Sequence, residues 1–364
     1  MANNTARLGD LATYINGYAF KPADWGDTGL PIIRIQDLTG NSYQLNRYDG
    51  EYPERIEVND GDVLISWSAS LGVYVWHRGK ALLNQHIFKV VFDKLPINKD
   101  YFVFAVEHKL AEMESKTHGA TMKHIVKKDF DGTIIPYPSI EKQAKIAEHL
   151  RRITNLIDRQ TEQLLLLDQL VKSRFIELFG TIHDNRFGFS VVTLQDVSAP
   201  IKDGTHQTPT YTTDVENGYK FLSSKDVTTG KVDWSHLKDL PEELHRELYA
   251  RISPRKGDIL LAKNGTTGIA AIVDRDEVFD IYVSLALIRP LGVDPTYLWA
   301  AINAAETKQQ FDASLKGIGV PNLHLGEIKK ARIILPPMEL QEQFATFVEQ
   351  TDKSKLCGTM EVAA

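Results

Sequence analysis

Between Glu141 and Phe179 the chain holds neither glycine nor proline, and its apolar side chains recur in steps of four and three. Ile146, Leu150, Ile153, Ile157, Gln160, Leu164, Leu167, Val171, Arg174 and Leu178 keep that rhythm for more than four heptads. The pattern predicts a coiled-coil seam on one long helix rather than the broader stripe of a globular helix. Ser139 serves as N-cap, Glu141 sits in the first turn and Gly180 stands at the stop position. At 1.5 Å per residue such a helix runs to about 58 Å, longer than a domain is wide. Leu156, Leu165, Leu166, Leu170, Phe175 and Phe179 add apolar surface beside the seam, more than one partner helix covers, so a second partner is expected there.

Away from this helix the texture is mixed. Val63 to Ile65, His86 to Phe92, Ile259 to Leu261 and Ile281 to Ile288 are short runs of strand-forming residues bounded by Gly, Asp or Pro. Asp100 to Glu114 and Asp294 to Phe311 read as helices, each with an Asp near its start. The chain also repeats itself. At a shift of 198 residues Asp129, Pro138, Glu141 and Gln143 fall on Glu327, Pro336, Glu339 and Gln341. Upstream, Gly61-Asp62 with Gly72 matches Gly257-Asp258 with Gly268, Asp37-Leu38 matches Asp226-Val227, and Leu8 with Asp10 matches Leu194 with Asp196. A period near 200 is too long for a solenoid and means a duplicated domain. The fold class is α+β: two duplicated mixed α/β domains separated by a long coiled-coil helix, with a second, shortened C-terminal helix. The boundaries are 1–138 for the first domain, 139–180 for the spacer helix, 181–336 for the second domain and 337–364 for the shortened helix and tail. That last helix starts at Glu339, runs through Phe344, Phe347 and Leu356, and its pattern then dissolves.

Composition narrows the function class. The 364 residues are 43% apolar and 25% charged, with a formal net charge of −6, so a nucleic-acid contact must come from a local patch. A single cysteine, Cys357, rules out a disulfide framework and a cysteine zinc site and fits a reducing compartment. No signal-peptide pattern and no membrane-length apolar run occur, so a cytoplasmic location is expected. Phosphate-loop, nucleophile-elbow, zinc-protease and dinucleotide motifs are absent. Asp294-Pro-Thr-Tyr297 imitates an amino-methyltransferase loop but aligns with Asn98-Lys-Asp-Tyr101, where the slot starts a helix. Glu107 and Lys109 imitate a metal-nuclease pair, yet they fall inside a predicted helix. A duplicated pair of non-catalytic modules with a rigid spacer suits the reading of two separated patches on something long, above all duplex DNA.

Base edges in the major groove are read by short polar and basic side chains on loops, and phosphates by Lys and Arg. In the first repeat the candidates are Ser66, Ser68 and Ser70, with Lys116, His118, Lys123, His124, Lys127 and Lys128 from a segment of local charge excess. In the second they are Lys202, His206, Gln207, Lys225, Lys263, Asn264, Thr266, Thr267, Lys316, Asn322 and His324. Asn264-Gly265 equally carries a two-residue hairpin signal. The partner-facing seam comprises Ile146, Leu150, Ile153, Ile157, Leu164, Leu165, Leu167, Leu170, Val171, Phe175 and Leu178.

Leu8-Gly-Asp10 with Gly17-Tyr18, Asp203 to Pro209, Leu222 to Asp226, Gly257 to Leu260 with Gly265 to Gly268, and Pro336 to Gln341 together resemble the specificity subunit of type I restriction–modification systems. The resemblance spans about Ala6 to Leu356. It implies that each repeat is a target recognition domain for one half of a split, asymmetric DNA sequence and that the helices of the two repeats pack antiparallel. It further implies a chain without its own catalysis or cofactor. Two modification subunits that bind S-adenosylmethionine and methylate adenine, and restriction subunits that use ATP and Mg, would be its partners. The shortened second helix departs from the family pattern and leaves two arrangements: a truncated or recombined chain, or a homodimer that supplies the missing helix. The rival readings are a self-contained DNA methyltransferase or nuclease, and a coiled-coil scaffold that binds only proteins.

Overall fold

The computed structural model describes residues 5–41, 45–116, 125–315 and 321–363, without the side chains of 114–116 and 357–363. It divides into two compact units, one ending at Ile157 and the other beginning at Asp158, both boundaries lying inside the long helix Ile140–Phe179.

In the first unit the strand Thr5–Arg7 pairs antiparallel with Ile134–Pro136. A four-stranded antiparallel sheet follows the order Thr13–Asn16, Ile87–Val91, Val63–Ser66, Gly72–Val75. A second sheet runs Arg47–Tyr48, Leu30–Ile33, Ala81–Leu83, Glu57–Val58, with its central pair parallel. The second unit repeats this plan. Ser190–Thr193 pairs with Arg332–Leu335; Lys202–Asp203, Leu285–Ile288, Ile259–Ala262 and Ala270–Ile272 form the antiparallel sheet; Lys238–Leu240, Tyr219–Leu222 and Phe279–Ile281 form the mixed one.

The apolar runs at Val63 and Ile259 are continuous because each strand is covered on both faces. Side chains alternate across a strand, so Val63 and Ile65 enter a core with Phe88, Phe102 and Val106, while Leu64 enters another with Ile32, Leu83 and Ile87. Likewise Ile259 and Leu261 pack with Tyr297, Leu298 and Phe344, and Leu260 and Ala262 pack with Leu222, Phe279 and Leu285. The acids that recur in both halves close turns. Asp37 accepts the Arg34 N–H at 2.8 Å and Asp226 the Ser223 N–H at 2.7 Å. Asp62 accepts the Asn59 N–H at 2.9 Å and Asp258 the Arg255 N–H at 3.0 Å.

The recurring glutamine has an equally definite job. Gln143 accepts the Asn98 N–H at 2.9 Å and donates to the Pro138 carbonyl at 2.8 Å. Gln341 does the same with Asp294 and Pro336 at 2.9 and 2.8 Å. Both are buried, and both tie the first turn of one helix to the N-cap of an earlier one. Asn98 and Asp294 are those caps: Asn98 Oδ1 accepts from the Tyr101 N–H at 3.0 Å, and Asp294 Oδ1 from Thr296 and Tyr297 at 2.8 and 3.0 Å. The Asp294 motif is thus a helix start, and Glu107 and Lys109 lie on the helix Lys99–Lys116, with Lys109 paired to Glu112 at 2.8 Å.

Three expectations are corrected, and the seam's extent is defined. The run from Asp294 is two helices, Pro295–Asn303 and Ala305–Ser314, broken at the extended Ala304. Thr307, buried, donates at 2.7 Å to the Ala301 carbonyl, which at the break otherwise accepts only a long 3.4 Å bond from the Ala304 N–H. Asn264-Gly265 is not a two-residue turn: Leu261 pairs with Ala270, leaving a longer loop between the strands. The last helix does not dissolve at Leu356 but spans Met338–Ala363, 26 residues against 40 for the spacer. Finally, the seam is closed over only part of its length. Val171, Phe175 and Phe179 pack on Phe344, Phe347 and Val348, with Leu164, Leu167 and Leu178 half-buried. Ile146, Leu150, Ile153 and Ile157 are exposed, Ile153 at 53%. The off-pattern Arg174 lies over the Phe347 ring at 5.8 Å and pairs with Glu177 at 2.8 Å. Among the described residues no helix is long and apolar enough to cross a membrane.

Candidate nucleic-acid interface

In each unit four separate segments are laced by main-chain hydrogen bonds. In the second, Thr205 N–H donates to Ile281 O at 3.0 Å, Lys263 N–H to Ser284 O at 2.9 Å, and Leu323 N–H to Lys263 O at 2.7 Å. In the first, Tyr18 N–H donates to Leu83 O at 2.8 Å, Trp67 N–H to His86 O at 3.2 Å, and Ile125 N–H to Trp67 O at 3.0 Å. The approach is so close that a Cβ on Gly204 would stand 2.0 Å from Ile281 O, and one on Gly17 2.0 Å from Asn84 O, so only glycine fits either place. Backbone bonds hold this frame whatever the side chains are. The side chains differ freely: Lys263 answers Trp67, Asn264 answers Ser68, Ser284 answers His86, and His324 answers Val126.

In the second unit the frame surrounds a cleft of about 500 Å³ lined by Asp203, His206, Lys263, Asn264, Asn322 and His324. Residues scattered over 120 positions of sequence thus converge. Lys263 Nζ lies 3.0 Å from Asp203 Oδ2, and His206 Nε2 lies 3.3 Å from the same oxygen. Burial pushes the Asp203 carboxyl upward, but Lys263 and then His206 outweigh it and hold it below the usual carboxylate range. Lys263 is only 7% exposed and is committed to that pair, so it shapes the cleft floor instead of reaching a phosphate. Asn264 and Asn322 face each other across an isolated antiparallel bridge. His206 and His324 of the lining are exposed; Gln207 and Thr266, outside it, are exposed and Thr267 is half-buried. Lys202 and Lys225 are exposed, with Lys202 Nζ 3.3 Å from the Arg251 carbonyl and Lys225 Nζ 3.7 Å from Asp226.

In the first unit Ser66 is fully buried, and its hydroxyl donates to the Ser70 carbonyl at 2.5 Å. It closes the loop and does not present itself to a ligand, because the strand Val63–Ser66 carries it into the interior. Ser68 is half-buried and Ser70 exposed. Lys127 is paired with Asp131 at 2.7 Å and lies over the Tyr14 and Phe88 rings at 5.7 and 5.8 Å; Lys128 is exposed. His118, Lys123, His124, Lys316 and the side chain of Lys116 lie outside the described residues. Sequence reasoning missed Trp67 and His86, whose rings meet at 5.0 Å beside this loop. His86 and Ala69 hold left-handed φ values of 73° and 61°, a strain that non-glycine residues keep where the surroundings enforce it. Nothing in the one-dimensional pattern marks such a position.

Two copies of one frame, differing in the side chains that the frame presents, define a two-module DNA-specificity protein. The chain belongs to the type I restriction–modification DNA specificity family: residues 3–167 and 191–357 each match its specificity-domain model. It is 27% identical to the EcoBI specificity subunit of Escherichia coli, over 94% of this chain and 78% of that one. The MjaVIII specificity subunit of Methanocaldococcus jannaschii is 26% identical over 95% and 85% of the two chains. The fold is shared with the specificity subunit of M. genitalium, at a TM-score of 0.58, 13% identity and 99% and 92% coverage. Membership makes this chain a DNA-recognition subunit and not an enzyme; neither the methyltransferase or nuclease reading nor the scaffold reading is favoured.

Proposed function

We propose that this chain reads a split, asymmetric DNA sequence, one half with each unit, and brings modification subunits to it. The observation that carries the reading is the shared main-chain frame with unlike side chains: Trp67, Ser68 and His86 in one unit against Lys263, Asn264 and Ser284 in the other. An identical scaffold with different donors and acceptors is what recognition of two different half-sites requires. Lys128, Lys202 and Lys225 are exposed cations suited to phosphates, local positive points on a chain of net charge −6. Ile146, Leu150, Ile153 and Ile157, with Leu165 and Leu170, form the apolar face offered to two modification subunits, which would hold S-adenosylmethionine and methylate adenine. Restriction subunits would add ATP- and Mg-dependent chemistry, and the assembly would work in the cytoplasm. The shorter final helix leaves a homodimer as an alternative way to cover the seam.

The test is co-purification with an adjacent modification subunit, followed by sequencing of host DNA for methylated adenine. A two-part methylated motif that disappears when this chain is deleted is the expected result. A stable complex with no motif would restrict the chain to assembly, and neither complex nor motif would restore the scaffold reading.

A further inference from the structure

Among the described residues that line the second unit's cleft, Asp203, Lys263 and His206 pair with one another, whereas two buried oxygens have no partner. Asn264 Oδ1 and Asn322 Oδ1 are shut off from water and accept no hydrogen bond. Both residues line the cleft, and the antiparallel bridge between them sets their side chains next to each other. The loops that carry them are fixed by the Gly265 N–H to Pro321 O bond at 3.1 Å and the Leu323 N–H to Lys263 O bond at 2.7 Å. An acceptor that has lost water and gained no donor destabilises the free protein, and a ligand that supplies the donor recovers that loss. The neighbouring charges are already spoken for, since Lys263 is bound to Asp203.

Rotation about the terminal bond of an asparagine side chain is soft, so each amide can turn its oxygen toward the cleft mouth. What it presents there is one acceptor and one amino donor at fixed separation. In the major groove that pair matches adenine, whose amino group donates and whose N7 accepts; guanine offers acceptors only, thymine one acceptor and a methyl group, cytosine one donor. Resting on the DNA-reading function proposed above, we infer that Asn264 and Asn322 are the specificity-determining pair of the second unit and that they select adenine in its half-site. The first unit has Ser68 where the second has Asn264, so the selection belongs to one half only.

The experiment uses the full chain with its modification subunits. Duplexes carrying the methylated motif are competed against single-base variants, for the wild type and for Asn264→Ala and Asn322→Ala. Each variant is expected to lower discrimination at an adenine of one half-site by about 5- to 150-fold, the worth of one bidentate contact, while the other half-site is read as before. That undisturbed half also reports that the variant is folded. A second arm leaves the protein intact. Replacing each adenine of the motif in turn by 7-deazaadenine, or by purine lacking the amino group, should cost the wild type the same factor at the same place. Variants that keep every preference within twofold, or a wild type indifferent to both analogues throughout, would overturn the assignment and leave DNA reading itself intact. A wild type that binds all duplexes alike would instead remove the function on which the inference rests.

Discussion

At the scale of single residues the least conspicuous side chain carries much of the argument. Gln341 reads as one polar residue in a helical run, yet its amide satisfies the Asp294 N–H and the Pro336 carbonyl in the core. Gln341→Ala orphans both, so the second unit should lose about 2–4 kcal/mol in urea unfolding, and Gln143→Ala should do the same to the first. Asp203 makes a prediction with a pH signature. Its folded carboxyl sits below the ordinary range, chiefly because Lys263 overcomes the effect of burial. A depressed acid contributes stability that is present above its unfolded value of about 4 and is lost as pH falls through the folded value. Asp203→Asn should therefore cost about 2–3 kcal/mol at pH 7, by stranding the buried Lys263, and should unfold with a flatter pH dependence than the wild type below pH about 4. Chemical denaturation from pH 7 to pH 2 checks both. The sequence located Gln143 and Gln341 through their spacing, but not their partners. A buried Ser66 and an exposed Ser70 look alike in a string of letters, and a left-handed His86 leaves no mark because histidine is not the residue such a backbone usually demands.

At the scale of elements, periodicity is informative where one kind of contact repeats. The spacer helix was legible from its seam and its stops, with Gly180 in the left-handed conformation at φ 71°. The central strands were legible as apolar runs because both faces are covered. The parallel pairing of Leu30–Ile33 with Ala81–Leu83 was not, since a pairing partner 50 residues away leaves no local period. Nor does periodicity say how much of a seam is occupied. The occupied part carries a cluster of rings: Phe344 lies 5.5 Å from Phe175 and 5.6 Å from Phe179, and Tyr297 lies 4.9 Å from Phe179. Phe344→Ala should therefore destabilise the second unit by about 3–5 kcal/mol. Ile153→Glu with Ile157→Glu, at exposed positions of the same seam, should change stability by less than about 1 kcal/mol. The pair should instead abolish co-purification of a modification subunit. A double variant that unfolds the chain, or one that leaves the complex intact, would remove this face from the docking surface.

At the scale of the whole molecule, duplication is the strongest signal the sequence holds. Two weak half-sites read by two similar units give a specificity that neither unit has alone, and the intervening helix becomes a determinant of what is read. A helix lengthens by about 1.5 Å per residue and DNA by about 3.4 Å per base pair, so seven inserted residues, about 10.5 Å, match three base pairs. Seven residues also return the seam to nearly the same face of the helix, which preserves the packing of Val171 and Phe175 on Phe344 and Phe347. Inserting one heptad between Gln160 and Leu164 should accordingly widen the unspecified gap of the methylated motif by up to about three base pairs and leave the bases of each half unchanged. Inserting five residues would turn the seam by about 140° and should cost assembly before it changes spacing. Sequencing methylated adenines in cells carrying each insertion separates the outcomes. A heptad variant that methylates at the original spacing would mean that the gap is set outside this helix, by the partner subunits or by the DNA.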